Sequence, residues 1–451
     1  MKKSLAAVLI LSLLLGMAAC GNAAPATPGA SESQIASSTA SASAQAVASE
    51  STEKKDVSLS LVGNWWADGS YEKMKADDIN KTQVTIAGRE LIEKNHPDWK
   101  IQFMDWGWAE VLDQKQRVTL LSGNAPDIVH GEVFMPTYAN NDMLVPLPQD
   151  IVDMVNPNFT LKNAQGEPVA VAPAGTVFML FYNKDLIKAA GIDPETMQLK
   201  TWDDWKKVSD AVTAYGGGNV WGGGIPTHPH AGGSLRMLPF VRQMGADFGG
   251  GLKATINTPE MNKALTYIRE MDANFPKGAG NNADANILVN MFKTDKNLAF
   301  VVDGSWDMRY SEVNLGFTNL PTPADGKEGN CLVAFDYMAV PKLSKNRDEA
   351  FACIKDLLSK DIAKVYSKTN FMPVANKEAL EDAELNAVPQ LKFLYDMMKN
   401  GSYKGLPVFD KNDTQVWEVI NTKVIARATM TTDPIDVILS EAQAECDKLL
   451  Q

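Results

Sequence analysis

The sequence predicts an α/β protein of two domains, on three observations. The chain has 451 residues, more than one hydrophobic core ordinarily organises. Its first folded stretch alternates strand and helix patterns in the order β-α-β-α-β, which makes a parallel sheet with helices on its faces. Farther on, several helical stretches surround the apolar run "KNLAFVVDG" and suit a second, more helical domain. The formal charge of −12 argues against a nucleic-acid partner, which needs a basic face.

The first nineteen residues are not fold. "MKK" is positive, "LAAVLILSLLL" is apolar, and "GMAAC" ends in small residues. This predicts a secretory signal over 1–19, too short for a spanning helix. A Cys directly after small residues resembles a bacterial lipobox, with Met17 where Leu is usual. That resemblance implies cleavage before Cys20 and lipidation of its thiol; the alternative is a secreted protein with Cys20 incidental. Residues 20–56 are dominated by Ser, Ala, Thr and Pro. They cannot bury enough apolar surface to offset ordering entropy and are expected to form a tether.

The elements then follow in order. "DVSLSLVGNWW" (56–66) alternates as a strand ending at Gly63-Asn64. "VTIAGRELIEKN" has helical spacing and is stopped by Pro97, and "WKIQFMD" is the second strand. A helix is expected over about 109–122, then a short strand after Pro126. "TVFMLFYNKDLIKAAGI" reads as strand, turn and helix. Thr201 and Asp204 form an approximate capping box for the next helix. "LRMLPFVRQMGADF", "TPEMNKALTYIREM" and "ANILVNMFKTD" read as helices around the strand "LAFVV". "YMAVPK" is a short strand, "RDEAFACIKDLLSKDIAKVYSK" is helical, and the chain ends in an amphipathic helix with Pro434 at its start.

Ligands of such sheets bind beyond the carboxyl ends of the strands. Those ends carry Asn64, Trp65, Trp66 and Asp68; then Trp106 and Trp108 around Gly107; then His130 and Glu132. Alternation sends Trp65 and Trp66 to opposite faces, so at most one of them meets a ligand directly. Trp106 and Trp108 are equally open to a packing role. "LAFVVDGSW" sets Trp306 beside Gly304 at a strand end, either a core plug or a flat platform on a cleft, with Asp303 and Asp307 flanking it. Arg236 opens a helix after the glycine-rich "WGGGIPTHPHAGGSLR". The His228-x-His230 pair lacks a third ligand, and no metal is expected. Cys331, Cys353 and Cys446 match no metal module, and buried thiols are expected. Nor does any nucleophile elbow, HExxH, P-loop or dinucleotide fingerprint occur.

Four segments resemble the extracellular solute-binding proteins of ABC importers, family 1, the maltose-binding-like group. They are "NAPDIV", "FMLFYNKDLIKAAGIDPETMQLKTWDDW", "MFKTDKNLAFVVDGSW" (with Thr294-Asp295 in place of a glycine) and "LPTPADGKEGN…YMAVPKLSKNRDEAFACIKDLLSK". They fall in the family's order over roughly 57–450. The resemblance implies a two-lobed periplasmic-binding-protein type II fold, each lobe a mostly parallel sheet flanked by helices, hinged by crossover segments. It places the first lobe at 57–170 and about 310–375, and the second at 171–309 and about 376–451.

It further implies a carbohydrate ligand, usually an oligosaccharide, held between the lobes; docking on a membrane permease; no cofactor; and a monomer lipid-anchored on the outer face of the cytoplasmic membrane. In the family's Gly-x-Trp position, Trp306 would stack on a sugar ring. His130, Glu132, Thr176, Phe178, Asp336 and Phe371 stand where the family often places contacts. Tyr182, Asn183, Trp202 and Trp205 look structural. Two other classes stay open: a secreted glycoside-acting enzyme, since aromatic clefts with Asp and Glu also describe glycosidases, and a lipoprotein sensor for a membrane kinase.

Overall fold

The computed structural model describes residues 57–63, 84–107, 109–309, 312–324, 326, 333–400 and 405–451. The signal, Cys20, the tether, Asn64, Trp65, Trp66, Asp68, Trp108 and Cys331 lie outside the described residues.

Strand β1 (Ser58–Val62) pairs in parallel with β2 (Lys100–Met104), and the helix Val84–Asn95 connects them. The helix Ala109–Ser122 leads to β3 (Val129–Gly131), and a parallel bridge from Leu61 to Ile128 brings this strand to the far side of β1. The alternating pattern therefore produces the expected β-α-β-α-β unit. Leu59, Leu61, Ile92, Phe103 and Ile128 form its buried interior.

Two short strands follow, β4 (Thr160–Lys162) and β5 (Pro168–Val171). β6 (Gly175–Asn183) is the longest strand, buried along nearly its whole length. β7 (Gly249–Gly250) and β8 (Lys253–Ala254) make a small hairpin. β9 (Phe300–Gly304), β10 (Leu315–Thr318), β11 (Val333–Phe335) and β12 (Tyr337–Ala339) complete the set among the described residues.

The amino half of β6 pairs with β11, while its carboxyl half pairs with β9 and β10. β12 returns to the first lobe between β3 and β5. All these pairings are antiparallel, so the sheets are less parallel than the alternating pattern suggests. The reason lies in the connections: β9, β10 and β11 belong to segments heading back toward the other lobe and must run against β6. In the second lobe parallel contacts shrink to isolated bridges such as Trp221–Leu298.

Three crossing segments lie side by side. Ala174 bridges Val374, Gly175 N–H donates to the Pro373 carbonyl at 2.9 Å, and β6 lies beside β11. β10 pairs with the carboxyl half of β6. Ala379, Leu385, Leu391, Leu394 and Tyr395 belong to one core cluster with Ile92 and Phe351 and also with Phe181, Phe292 and Val301. After 405 the chain packs on the second lobe, through the helix Asp413–Glu418, a π-helical stretch Val419–Ala426 and the terminal helix Ile435–Leu450.

The expected capping box forms: the Thr201 hydroxyl accepts from Asp204 N–H at 3.1 Å, and the Asp204 carboxylate accepts from Thr201 N–H at 2.9 Å. Trp202 stacks on Tyr267 at 4.2 Å and Trp205 is fully buried, so both are packing residues. Cys353 and Cys446 are buried free thiols. No helix among the described residues is long and apolar enough to cross a membrane.

Candidate functional site

The site lies where the two lobes meet, and its second-lobe wall starts at β9. This strand ends at Asp303-Gly304, and the turn Ser305–Arg309 folds the chain back. The Trp306 indole then lies over Gly304, where a Cβ would come within 2.4 Å of the ring. Only glycine leaves that space. Its other support is Phe178 of β6, paired directly with Gly304 and meeting the indole edge-on at 6.1 Å. Trp306 is half-buried. It is neither the sealed plug nor the fully open platform that the sequence allowed; it is a backed ring with part of its surface uncovered.

Asp303 points inward and is 2% exposed. Its carboxylate accepts from Arg236 Nη2 at 2.5 Å and from Gly304 N–H at 2.8 Å. Arg236 also donates to the Gly232 carbonyl at 2.9 Å, and its guanidinium carbon stands 5.6 Å from the Phe178 ring centroid. The helix Ala231–Gln243 carries it, with the His230 side chain accepting from Gly232 N–H as N-cap. His228 and His230 stack at 5.6 Å, but both spend ring nitrogens on the backbone carbonyls of Asn282 and Ala283. This geometry suits loop closure, and no group of three or more metal-ligating side chains occurs among the described residues.

The first-lobe wall is built on β3. Gln116, fully buried, clamps that strand by donating to the His130 carbonyl at 2.7 Å and accepting from His130 N–H at 2.9 Å. Register then sets the chemistry. Tyr337 of β12 faces Gly131, so Asp336, one residue earlier, comes opposite Glu132, one residue later. Asp336 Oδ1 stands 3.8 Å from His130 Nε2.

Burial pushes the Glu132 carboxyl up to about 7, with Arg236 opposing the shift. Burial, then the Glu132 charge, raises Asp336 well above the usual carboxylate range. Burial alone lowers His130 to about 4 and keeps it neutral. The interaction of Glu132 with Arg236 joins first-lobe β3 to the second-lobe wall.

Beside this charged junction opens a cavity of about 310 Å³. Val133 and Phe134 line it just after Glu132, with Pro229 between the stacked histidines, and Asp413, Trp417 and Asn421 close it from the helix Asp413–Glu418 and the π-helical stretch that follows. Phe134 is seated against Gly131, where a Cβ would clash with the Phe134 ring at 2.2 Å. Trp417 is anchored by its indole N–H to the Pro407 carbonyl at 3.1 Å and packs edge-on against Phe248 and Phe409. Ser234 donates to Asn421, tying the Arg236 helix to the Trp417 helix.

Of the residues singled out in the sequence, the structure brings together Trp306, Phe178, Asp303, Arg236, His130, Glu132 and Asp336. Thr176 sits apart, buried on β6 opposite Ala334 in the hinge pairing. Phe371 lies at the next crossing, capping the helix Lys360–Asn370 with φ of 48° and packing on the first-lobe core. Trp106 packs against the buried cluster that includes Val62, Leu112 and Tyr138 and keeps part of its surface exposed. Trp417 and Asp413 were missed. The signal for them was the pattern Val416, Ile420, Val424, spaced by four on a helix and leaving Trp417 on the adjoining face.

The profile of the family described as "Bacterial extracellular solute-binding protein" matches residues 81–364. The arabinooligosaccharide-binding protein of Bacillus subtilis is 26% identical over 189 residues, 40% of this chain and 42% of that protein. The sn-glycerol-3-phosphate-binding periplasmic protein UgpB of Escherichia coli is 26% identical over 209 residues, 44% of this chain and 46% of that protein. The matches thus span less than half the length of either relative.

Among solved structures, the GacH receptor of Streptomyces glaucescens superposes with a TM-score of 0.71 at 19% identity, covering 88% of this chain and 98% of that one. Maltose-bound MalE3 of T. maritima gives 0.70 at 18% identity, covering 87% and 100%. These likenesses carry the two-lobed fold. With the profile running from the first helix through the crossing segments to the helices of the first-lobe return, the chain belongs to the bacterial extracellular solute-binding protein family.

Proposed function

We propose that the protein is a non-catalytic carrier that holds a carbohydrate, in the size range of an oligosaccharide, between its lobes and presents it to the permease of an ABC importer. One observation carries this reading. Trp306, backed by Gly304 and Phe178, shares the lobe junction with the Asp303–Arg236 pair and the Glu132–Asp336 carboxyls. A sugar offers apolar C–H faces to a flat ring and a rim of hydroxyls to charged hydrogen-bonding groups, and this junction supplies both. The neighbouring cavity adds a second indole, that of Trp417. The names of the Bacillus subtilis and Escherichia coli relatives, binders of small polyhydroxylated solutes, support the reading.

The lipobox-like "GMAAC" supports lipid attachment at Cys20 and residence on the outer face of the cytoplasmic membrane. Titration calorimetry with neutral tri- to hexasaccharides, with chromatography of the same mixtures, tests the carrier reading. Saturable binding with intact sugar is expected. Release of shortened products would favour the glycoside-acting enzyme instead.

A further inference from the structure

The carrier reading leaves open whether the ligand is charged, and the two relatives differ on that point, one named for an arabinooligosaccharide and the other for a phosphate ester. We infer that the cleft takes an uncharged saccharide and discriminates against anionic ones, because carboxyl groups line it among the described residues and two arginines beside them, Arg236 and Arg117, are already bound to carboxylates. This rests on the carrier reading and narrows it.

Three acids line the 310 Å³ cavity, Asp113, Asp413 and Glu418, and none of its lining residues is Lys or Arg. Glu132 directly precedes the lining residue Val133, and the register of β3 and β12 sets Asp336 opposite Glu132. Among the described residues, the Arg236 charge acts on Glu132. Arg236 Nη2 is committed to the buried Asp303 at 2.5 Å and its Nη1 to the Gly232 carbonyl at 2.9 Å. Arg117, one turn beyond Asp113, is bonded to that carboxylate. Asp113 is also held by the Tyr138 hydroxyl at 2.8 Å.

The histidines at the junction add no positive charge at neutral pH, since burial lowers both His130 and His228 to about 4. An anionic ligand would therefore have to break an ion pair or sit among carboxylates whose arginine neighbours are already engaged, each of which costs affinity. Neutral hydroxyls meet no such cost and can donate to the same carboxylates.

Burial raises Glu132 to about 7 and Asp413 to about 6, so both carry negative charge only above those values, as at pH 7.5.

The test is calorimetry on the full-length protein at pH 7.5 with three probes: a neutral arabino- or maltotriose, a trigalacturonate, and sn-glycerol 3-phosphate. Wild type is expected to bind a neutral trisaccharide at least about tenfold more tightly than either anion, the factor set by about 1.4 kcal/mol of like-charge repulsion. In Glu132→Gln the penalty against trigalacturonate should shrink by at least about threefold relative to the neutral trisaccharide. Asp413→Asn serves as a second, independent reporter and should shift the ratio in the same direction. Trigalacturonate bound as tightly as the neutral sugar would overturn the charge inference and leave the carrier reading standing. Glycerol phosphate bound while every saccharide is refused would overturn both. An unchanged ratio in both variants would show that these carboxyls do not set the preference.

Discussion

Replacing Arg236 by Met removes one half of a buried ion pair and keeps most of the side chain's volume. Asp303 is then left 2% exposed, its carboxylate reduced to the single bond from Gly304 N–H. Breaking such a pair from one side costs about 3–5 kcal/mol, because the remaining charge stays in a poorly solvating interior. The lost bond to the Gly232 carbonyl adds about 1 kcal/mol. Arg236→Met should therefore lower unfolding free energy by about 4–6 kcal/mol, a sum of those two costs. The double variant Arg236→Met/Asp303→Leu removes the stranded charge as well, and replacing both partners with apolar groups is commonly near neutral. It should recover most of the loss, to within about 2 kcal/mol of wild type. Urea unfolding of wild type, Arg236→Met, Asp303→Leu and the double variant, followed by tryptophan fluorescence and circular dichroism, completes the cycle. A single variant within about 1 kcal/mol of wild type, or a double variant no better than the single, would refute the picture of a buried, mutually dependent pair.

Other perturbations separate binding from folding. Gly304→Ala places a methyl 2.4 Å from the Trp306 ring and should displace the indole. Affinity should fall while unfolding free energy drops by no more than about 1–3 kcal/mol, the usual range for overpacking. Trp306→Ala should weaken saccharide binding by about 1–3 kcal/mol, a range taken from stacking of bases on aromatic rings, as read by calorimetry. Trp417→Ala should weaken longer saccharides more than short ones, since its ring lies in the adjoining cavity.

For pH, Glu132 has its folded value raised from 4.5 to about 7 by burial, so the folded state holds the extra proton between those limits. Its contribution to stability is full below about 4.5 and is lost as pH rises toward about 7. His130 and His228, lowered from 6.5 to about 4, act in the opposite sense: stability falls as pH drops through that range. The difference in melting temperature between wild type and Glu132→Gln isolates the carboxyl, and it should shift in favour of the variant as pH rises from 4.5 to 7. A flat difference would exclude the assignment.

Much of the site was legible in short segments. "LAFVVDGSW" announced a strand, a glycine and an indole at its end, and the structure adds why Gly304 is needed. The capping box at Thr201 and the β-α-β-α-β alternation were likewise local patterns, and local patterns are what periodicity and caps encode. Contacts between distant segments were not legible. Arg236 meets Asp303 across 67 residues. Glu132 meets Asp336 only because β12 pairs with β3 in one register. Trp417 escaped because its place in the cavity with Val133 and Phe134 joins segments far apart in the chain.

β6 begins among the crossing segments and runs straight to the residue that braces Trp306. Its first three residues pair with β11, and the next, Phe178, pairs with Gly304. A bend at Gly175–Val177 would swing the rest of the strand as a lever, with β9 and the indole clamped to it by the ladder. Motion at the joint and movement of the grip are then one event, so the second lobe can deliver its aromatic surface to a solute already assembled.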